Sequence, residues 1–423
     1  MIWIIVGYMW LFLHRPFEVW PWMGAYRIER IYMICTLIAW MAMAEKQLTE
    51  NKINFAILLM AFAMIASAIL SPYTTLGESA TAQNWLKYLA FYLLVMTSVK
   101  TEKDLKIIIT AFLVAFFLYM LHSYREFLNG RHMYSMGTVR MIGVDSTLGH
   151  PNSFGASVVY FFPMLIPLFS IIKAKWHYLF VIGYALLSVR CIQLTGSRTA
   201  FVVLIGTLIL GGLLSKHRMK VLPVLALALV VIWATMSDSL RNRYLTLVDS
   251  TINESANESA DGRLHGFWKG LECWQMAPLT GVGPSCHGIA TGEGFASHFL
   301  YGQIPGELGT LGVVAYLTLL ACYVMNHMSM IQYYRFMQRR GRAKEAEYCY
   351  RVSLAVMIGL FLLLVFGFGG HNGYRFNWVW FAAFQATAMS ILERKVNAIR
   401  QCEMALPNAA PSLSVTPVRL PAS

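Results

Sequence analysis

Three basic side chains that stand in apolar surroundings are the residues best suited to chemistry. Arg198 opens the apolar run of "SRTAFVVLIG", Arg263 lies in "DGRLHGFWKG", and His298 lies in "FASHFLYG". A guanidinium group binds phosphate through a planar pair of hydrogen bonds and keeps its charge. Histidine is the side chain best suited to accept a proton near neutral pH. Each residue alone also fits a plainer role at a lipid headgroup, so the hypothesis depends on all three acting together.

Four more polar residues are candidates for lining the same cavity. Gln303 and Glu307 stand together at one membrane edge, where they could orient a polar substrate. His371 and Arg375 share the short turn "GGHNGYR" near the end of the apolar part of the chain. An ionisable residue beside a membrane span is a functional candidate by default.

The acidic residues and the glycine patterns bear on cofactors. Aspartate occurs only at positions 104, 145, 238, 249 and 261, and no paired acidic motif stands in an outer segment. We therefore expect a reaction without metal or other cofactor. Phosphate-binding glycine loops of the Walker and dinucleotide types do not occur, so ATP and nucleotide sugars are not expected as substrates. Cys273 and Cys286 share one outer segment, and the sequence leaves open whether they form a disulfide or stay free thiols.

The segment 261–275 must position Arg263, and its pattern predicts an amphipathic helix. Asp261 is the predicted N-cap, which places Arg263 in the first turn beside backbone N–H groups that favour an anion. The apolar stripe is suited to lie on a membrane surface; it comprises Leu264, Phe267, Trp268, Leu271 and Trp274.

The composition of the chain excludes a soluble protein. Of 423 residues, 57% are hydrophobic and 13% charged, with a mean hydropathy of +0.54. A soluble domain carries roughly 25% charged residues. Disorder is also excluded, because disordered chains are polar and highly charged. The net charge of +13 does not require nucleic acid, since in a membrane protein the placement of charge matters more than its sum.

Apolar runs long enough to cross a bilayer predict an all-α integral membrane protein with about twelve spans. We place them at 1–13, 27–44, 53–71, 85–98, 105–121, 153–172, 177–194, 199–215, 219–236, 308–330, 351–369 and 376–392. The first is read as a helix, not as a signal peptide. Lysines other than Lys87 and Lys269 then fall on one side, which predicts cytoplasmic termini and places the candidate site residues on the outer side. The remaining outer cations are arginines.

The spans divide the chain into four parts. Residues 1–236 hold spans one to nine, and 237–307 form a long periplasmic loop that contains the amphipathic helix. Residues 308–392 hold the last three spans, and 393–423 form a cytoplasmic tail predicted to be disordered. The stretch "NESANESA" at 253–260 is the predicted flexible tip of the long loop. A loop of that length is usually functional.

Four blocks in order resemble the O-antigen ligase and O-antigen polymerase superfamily of bacterial membrane glycosyltransferases of the GT-C type. They cover about 135 to 320: "TVRMIGVDSTLGHPNSFG" with Arg140, "SRTAFVVLIGTLIL", "GRLHGFWKGLECWQMAPLTGVGPSCHG" and "SHFLYGQIPGELGTLGVV". One departure is Phe299, which follows the histidine where many family members have Asn.

The resemblance implies transfer of a glycan from undecaprenyl pyrophosphate to an acceptor hydroxyl at the periplasmic face of the bacterial inner membrane. Arg198 and Arg263, with Arg140, match the family's pyrophosphate-binding arginines, and His298 matches its proposed base. We predict direct displacement with inversion. Lipid A–core oligosaccharide is the favoured acceptor; a second lipid-linked glycan or a protein stays open. A transporter of an anionic lipid-linked substrate is the alternative of another class, although two similar halves are not visible.

Overall fold

The computed structural model describes residues 1–43, 46, 48–75, 78–135, 137–145, 147–172, 174–215, 217–245 and 255–405. The helices of its first part are α1 (Ile2–His14), α2 (Pro16–Val19), α3 (Pro21–Ala25), α4 (Ile28–Met41), α5 (Ile53–Leu70), α6 (Ala80–Ser98), α7 (Glu102–Leu128), α8 (Pro151–Phe161, continued as a 3-10 helix over Phe162–Ser170) and α9 (Lys175–Thr195). The second part adds α10 (Arg198–Leu214), α11 (Arg218–Ala234), α12 (Asp238–Leu245), α13 (Ser255–Met276), α14 (His287–Ala290), α15 (Leu300–Arg339), α16 (Ala343–Gly367) and α17 (Asn377–Ala405).

Each predicted span falls on one of these helices, but fewer than twelve meet the length and hydropathy of a bilayer crossing. Among the described residues, six helices do so, or seven if α11 and α12, which bend by 119° at their junction, form one broken span. The six are α5, α7, α8 with its 3-10 continuation, α9, α15 and α16. The all-α membrane class is therefore supported, and the count of twelve stays a prediction.

The first half of α17 is the centre of the helical core. Residues 377–388 are buried all round, as expected of a helix that is packed on every side. Trp380 stacks on Phe91 of α6 with ring centroids 3.8 Å apart, and Phe161 of α8 packs on Phe381. This packing holds the turn just before α17 at one end of the helical core.

Helix α15 is broken where it enters the predicted membrane region. Gly309 has φ 63° and ψ −161°, a conformation that disfavours side chains with a Cβ. The backbone groups around the break are satisfied by the preceding loop: Thr310 N–H donates to Pro278 O at 2.9 Å, and Val282 N–H donates to Gly306 O at 2.9 Å. Irregular backbone near a membrane needs such partners. The loop after α13 is therefore held against the break in α15.

A two-stranded hairpin lies between α7 and α8 and was not predicted. Strands β1 (His132–Ser135) and β2 (Thr138–Met141) pair antiparallel, with Met133 opposite Arg140. Four-residue strands give too short an alternation to stand out from the flanking apolar runs. The hairpin carries Arg140, so it belongs to the elements that position the site.

Three predicted boundaries are corrected by the helices. Helix α13 covers Ser255–Met276, so residues 255–260 of the predicted flexible tip are helical, and Asp261 is not an N-cap. Residues 253–254 lie outside the described residues. Helix α17 continues to Ala405, so 393–405 are helical rather than disordered, while 406–423 lie outside the described residues. Both extensions are rich in Ala, Glu and other good helix formers that local propensity favours.

Candidate functional site

A cavity of about 690 Å³ opens between the starts of α8 and α10, helix α13, the segment before α15 and the turn before α17. Its lining includes His150, Arg263, His298, His371 and Arg375. These residues come from four separate segments of the chain. A concave site with several convergent titratable groups is the expected form of an active site.

The corner between α9 and α10 places Arg198 next to this cavity, although Arg198 is not among the residues that line it. Gly196 ends α9 with φ 57°, and Ser197 caps α10 by accepting a hydrogen bond from Ala200 N–H. Arg198 is therefore the first helical residue of α10. Its neighbours Ser197 and Thr199 line the cavity, and its positive charge acts on Arg140 and Arg263.

Arg140 lies behind the cavity wall, and its guanidinium is almost fully buried. Nε donates to Thr195 O at 2.7 Å, Nη2 to Asn152 Oδ1 at 2.7 Å, and Nη1 to Ser135 Oγ at 3.2 Å. Burial lowers the pKa of Arg140 to about 10, and Arg243 and Arg198 add to this. All three acceptors are neutral, so this arginine holds Asn152, which lines the cavity, rather than reaching into it.

Arg263 lines the cavity from α13, although not for the predicted reason. Because α13 covers Ser255–Met276, Arg263 lies well inside the helix, away from any free N–H groups at its start. Its guanidinium packs against Gly369, where an added Cβ would be 3.3 Å from Cζ. Burial lowers its pKa, and the charge of Arg198 lowers it further. Arg198 and Arg263 are two cations that repel each other beside the cavity, an arrangement that an anion would stabilise.

Glycines dock α13 closely on α15. A Cβ on Gly270 would lie 2.4 Å from Gly302 O, and one on Gly306 would lie 2.6 Å from Gly270 O. The contact face of α13 is thus glycine-rich, whereas Leu264 and Trp268 of the predicted apolar stripe are exposed. Small residues permit such backbone contact between membrane helices. Placement of the stripe on a membrane surface stays a prediction.

His298 stands just before α15 and faces the cavity. Ser297 anchors the segment because its buried Oγ donates to Gly266 O at 3.1 Å. Phe299 packs its ring on Phe267 and Phe368, at 5.3 and 5.7 Å between centroids. Phe299 stands where many members of the resembling family have Asn, and it forms an aromatic contact here. The polar neighbour of His298 comes from elsewhere in the chain.

That polar neighbour is His371, in the turn before α17. The Nδ1 atoms of His298 and His371 are 3.3 Å apart, so one ring must donate and the other accept. Arg375 follows in the same turn and donates from Nη1 to Thr147 O at 3.1 Å. Both residues line the cavity. The turn thus joins the histidine before α15 to the outer segment before α8.

The surroundings of the cavity favour the neutral form of its histidines. Desolvation by the cavity walls lowers the pKa of His298, and the charge of Arg263 lowers it further. The pKa of His371 is lowered to about 4, first by burial and then by His298 and Arg375. The pKa of His150 is also lowered, first by burial and then by the charge of Arg140. A neutral imidazole keeps the lone pair that a base requires.

Gln303 and Glu307 do not line the cavity but connect the loop before α14 to the turn before α17. Glu307 is buried and accepts from Ser285 N–H at 3.1 Å and from His287 N–H at 3.4 Å. Gln303 donates to Glu307 at 3.4 Å and accepts from Gly373 N–H at 3.3 Å. The pair therefore fixes the loop before α14 and the turn that carries His371.

Three residues of this region were not among the predicted site residues. Arg243 of α12 donates from Nε to Gly196 O at 2.6 Å and acts electrostatically on Arg140. His150 both caps α8, by accepting from Asn152 N–H at 3.2 Å, and lines the cavity, as does Thr147. The density of polar residues in "DSTLGHPNS", directly before a span, is the signal that could have pointed to His150 and Thr147.

The sequence left open whether Cys273 and Cys286 form a disulfide. Cys273 and Cys286 are both buried free thiols in one small apolar cluster with Val282. Burial raises the pKa of Cys273 to about 11. Arg190, inside α9, donates from Nη1 to Gln193 Oε1 at 2.6 Å.

Comparison with known proteins bears on the middle of the chain. No curated protein gives a significant match. Residues 183–317, from within α9 into α15, match the protein-family model described as O-Antigen ligase. This range contains Arg198, Arg263 and His298. The match confirms the resemblance of the chain to the O-antigen ligase superfamily.

Proposed function

We propose that the chain transfers a glycan from undecaprenyl pyrophosphate to an acceptor hydroxyl at the periplasmic face of the bacterial inner membrane. The observation that carries the proposal is the single cavity in which Arg263 and Arg375 share the lining with the His298–His371 pair. The two arginines can bind phosphate oxygens, and the histidine pair can transfer a proton. The family match supports a membrane glycosyltransferase of the O-antigen ligase type.

The arginines stabilise the leaving group. In the reaction, the bond between the anomeric carbon and the pyrophosphate oxygen breaks, and its electron pair leaves with undecaprenyl pyrophosphate. Arg263 and Arg375 line the cavity and can donate hydrogen bonds to the departing oxygens, while Arg198 adds positive charge behind Arg263. Cations already in place cost no reorganisation as negative charge develops. Guanidinium groups thus supply the charge, and the proposed reaction uses no metal.

His298 is the proposed base. If His298 Nδ1–H donates to His371 Nδ1, the lone pair of His298 resides on Nε2 and is available to the acceptor hydroxyl. The acceptor oxygen attacks the anomeric carbon from the face opposite the pyrophosphate, and its proton passes to Nε2. The product therefore has inverted configuration. A positioned base typically contributes about 10²–10⁴-fold to the rate.

Lipid A–core oligosaccharide is the acceptor that we propose, because the two arginines that line the cavity, Arg263 and Arg375, suit an anionic lipid. Arg375 is the clearest example, since it faces the cavity and, among the described residues, has no acidic partner within ion-pair distance. The competing acceptors are a second lipid-linked glycan and a protein serine.

The test is an assay with the purified full-length protein and an undecaprenyl-pyrophosphate glycan. Lipid A–core, a second donor molecule and an acceptor protein are supplied separately, without ATP and with EDTA present. We expect a covalent, anomerically inverted product on lipid A–core, and its loss in His298→Ala. The variant's unfolding temperature is the control for folding.

Three results would contradict parts of the proposal. Full turnover by His298→Ala would exclude His298 as base, and inhibition by EDTA would exclude a metal-free reaction. Movement of the donor across a vesicle membrane without covalent product would favour the transporter.

A further inference from the structure

A second cavity, of about 540 Å³, is a groove between α1 and α7. Small side chains of α7 at Thr110, Ala111 and Ala115 leave the space, and Trp3 and Trp10 of α1 flank it. Nearly all of the lining is apolar. No residue of this groove lines the cavity of His298, so it is a separate site.

The groove has the length of a lipid chain and runs along the predicted membrane normal. Helices α1 and α7 are parallel, because His14 and His122 at their far ends are joined by a 2.7 Å hydrogen bond while Trp3 lies among the first residues of α7. From Lys103 to Leu118 the lining spans roughly 22 Å of helix. One leaflet of the hydrocarbon core is roughly 15 Å thick, so an extended acyl chain can lie in the groove.

Positive charge stands at one end of the groove only. Lys103 and Lys106 belong to its lining. Lys106 pairs with Glu102 at 2.5 Å, but Glu102 is shared with Lys395. Lys103 is exposed and, within the part of the chain that the structure describes, has no acid within ion-pair distance. The lysines at this end therefore exceed the acid that pairs with them, on the predicted cytoplasmic side.

We propose that this groove binds one anionic phospholipid of the inner leaflet. One acyl chain lies over Ala111 and Ala115 between the two tryptophans, and the headgroup phosphate lies between Lys103 and Lys106. The apolar floor accounts for the chain, and the surplus of lysine selects an anionic over a zwitterionic headgroup. This inference does not depend on the reaction proposed for the other cavity.

Native mass spectrometry of the full-length protein tests the proposal. The protein is titrated with phosphatidylglycerol and, separately, with phosphatidylethanolamine of the same acyl chains. We expect tighter binding of phosphatidylglycerol. In the double variant Lys103→Gln/Lys106→Gln, that affinity falls by roughly 5-fold per lysine, while phosphatidylethanolamine binding is unchanged. Both substitutions are at the surface end of α7, so folding is expected to persist.

Two further variants separate charge from shape. Arg218→Gln/Lys220→Gln makes the same charge change on α11, whose exposed residues do not line the groove, and should leave lipid binding unchanged. Ala111→Phe fills the groove and should weaken both lipids. Equal affinity for the two lipids, an equal loss in the α11 variant, or stronger binding of an isoprenyl phosphate than of phosphatidylglycerol would overturn the proposal.

Discussion

The Nδ1 atoms of His298 and His371 lie 3.3 Å apart although 73 residues separate them in the chain. The contact holds one proton between the two rings, because two ring nitrogens that face each other need one donor and one acceptor; when His298 is the donor, its lone pair lies on Nε2. It also relates two segments that the family match treats differently, since only His298 lies within the matched residues 183–317. His371 is therefore proposed as a positioning residue for the base.

Replacement of His371 tests this role. In His371→Ala, His298 loses the acceptor that orients its ring, and we expect kcat to fall by about 10-fold or more. The loss should not exceed the roughly 10²–10⁴-fold that a base contributes. In His371→Gln, the side-chain carbonyl can accept the same hydrogen bond and should restore part of kcat. Steady-state kinetics on both variants provide the measurement. A change confined to KM, and equal in both variants, would instead indicate a role in substrate binding.

The pH dependence of transfer should report the environment of His298. The cavity walls and the charge of Arg263 lower the pKa of His298 from its ordinary 6.5. A base works in its deprotonated form, so kcat/KM should persist below pH 6.5 and be lost as the pH falls through the lowered pKa. Arg263→Gln removes a positive charge, raises the pKa of His298, and should move the acid limb to higher pH in addition to slowing transfer.

The matched control for the acid limb is Arg125→Gln. Arg125 is an exposed arginine at the end of α7 that acts on His122 and does not line the cavity. Its loss should leave the acid limb in place. An acid limb that does not move in Arg263→Gln would argue against His298 as the titrating base.

Arg140 and Arg263 should respond differently to lysine. Arg140 is 2% exposed and donates to three acceptors, which a lysine ammonium cannot reproduce. We expect Arg140→Lys to lower the free energy of unfolding by about 3 kcal/mol and to reduce activity with it. Arg263→Lys should leave stability nearly unchanged while transfer falls. Thermal unfolding in detergent, beside the transfer assay, distinguishes them; normal stability of Arg140→Lys would contradict the assigned role.

The glycine contact between α13 and α15 should be sensitive to a single methyl group. A Cβ on Gly270 would lie 2.4 Å from Gly302 O, whereas one on Gly211 of α10 meets nothing within 4 Å. We expect Gly270→Ala to destabilise the protein by about 1–3 kcal/mol and to reduce transfer, because α13 carries Arg263. Gly211→Ala should stabilise by roughly 0.5–1 kcal/mol. Equal unfolding temperatures of the two variants would show that α13 does not depend on this contact.

The positions of the helices were largely predictable from the sequence because apolar runs of membrane length are a local property. Contacts that depend on a distant segment of the chain were not predicted. The apolar stripe of the helix at 261–275 was predicted to lie on a membrane surface, which stays a prediction, but the packing of Gly266 and Gly270 on α15 was not predicted. Close backbone contact needs small residues on both partners, and that requirement is visible only when the partner is known.

The sequence by itself determined the membrane class, the segments that become helices, and the residue types suited to phosphate and proton chemistry, because each depends on neighbours along the chain. Only the tertiary structure decided which of these residues meet. Arg263, His298, His371 and Arg375 share one cavity, whereas Arg140, Gln303 and Glu307 became supports behind its walls. The reason is physical: contacts between distant segments depend on how whole helices pack, which no local pattern encodes.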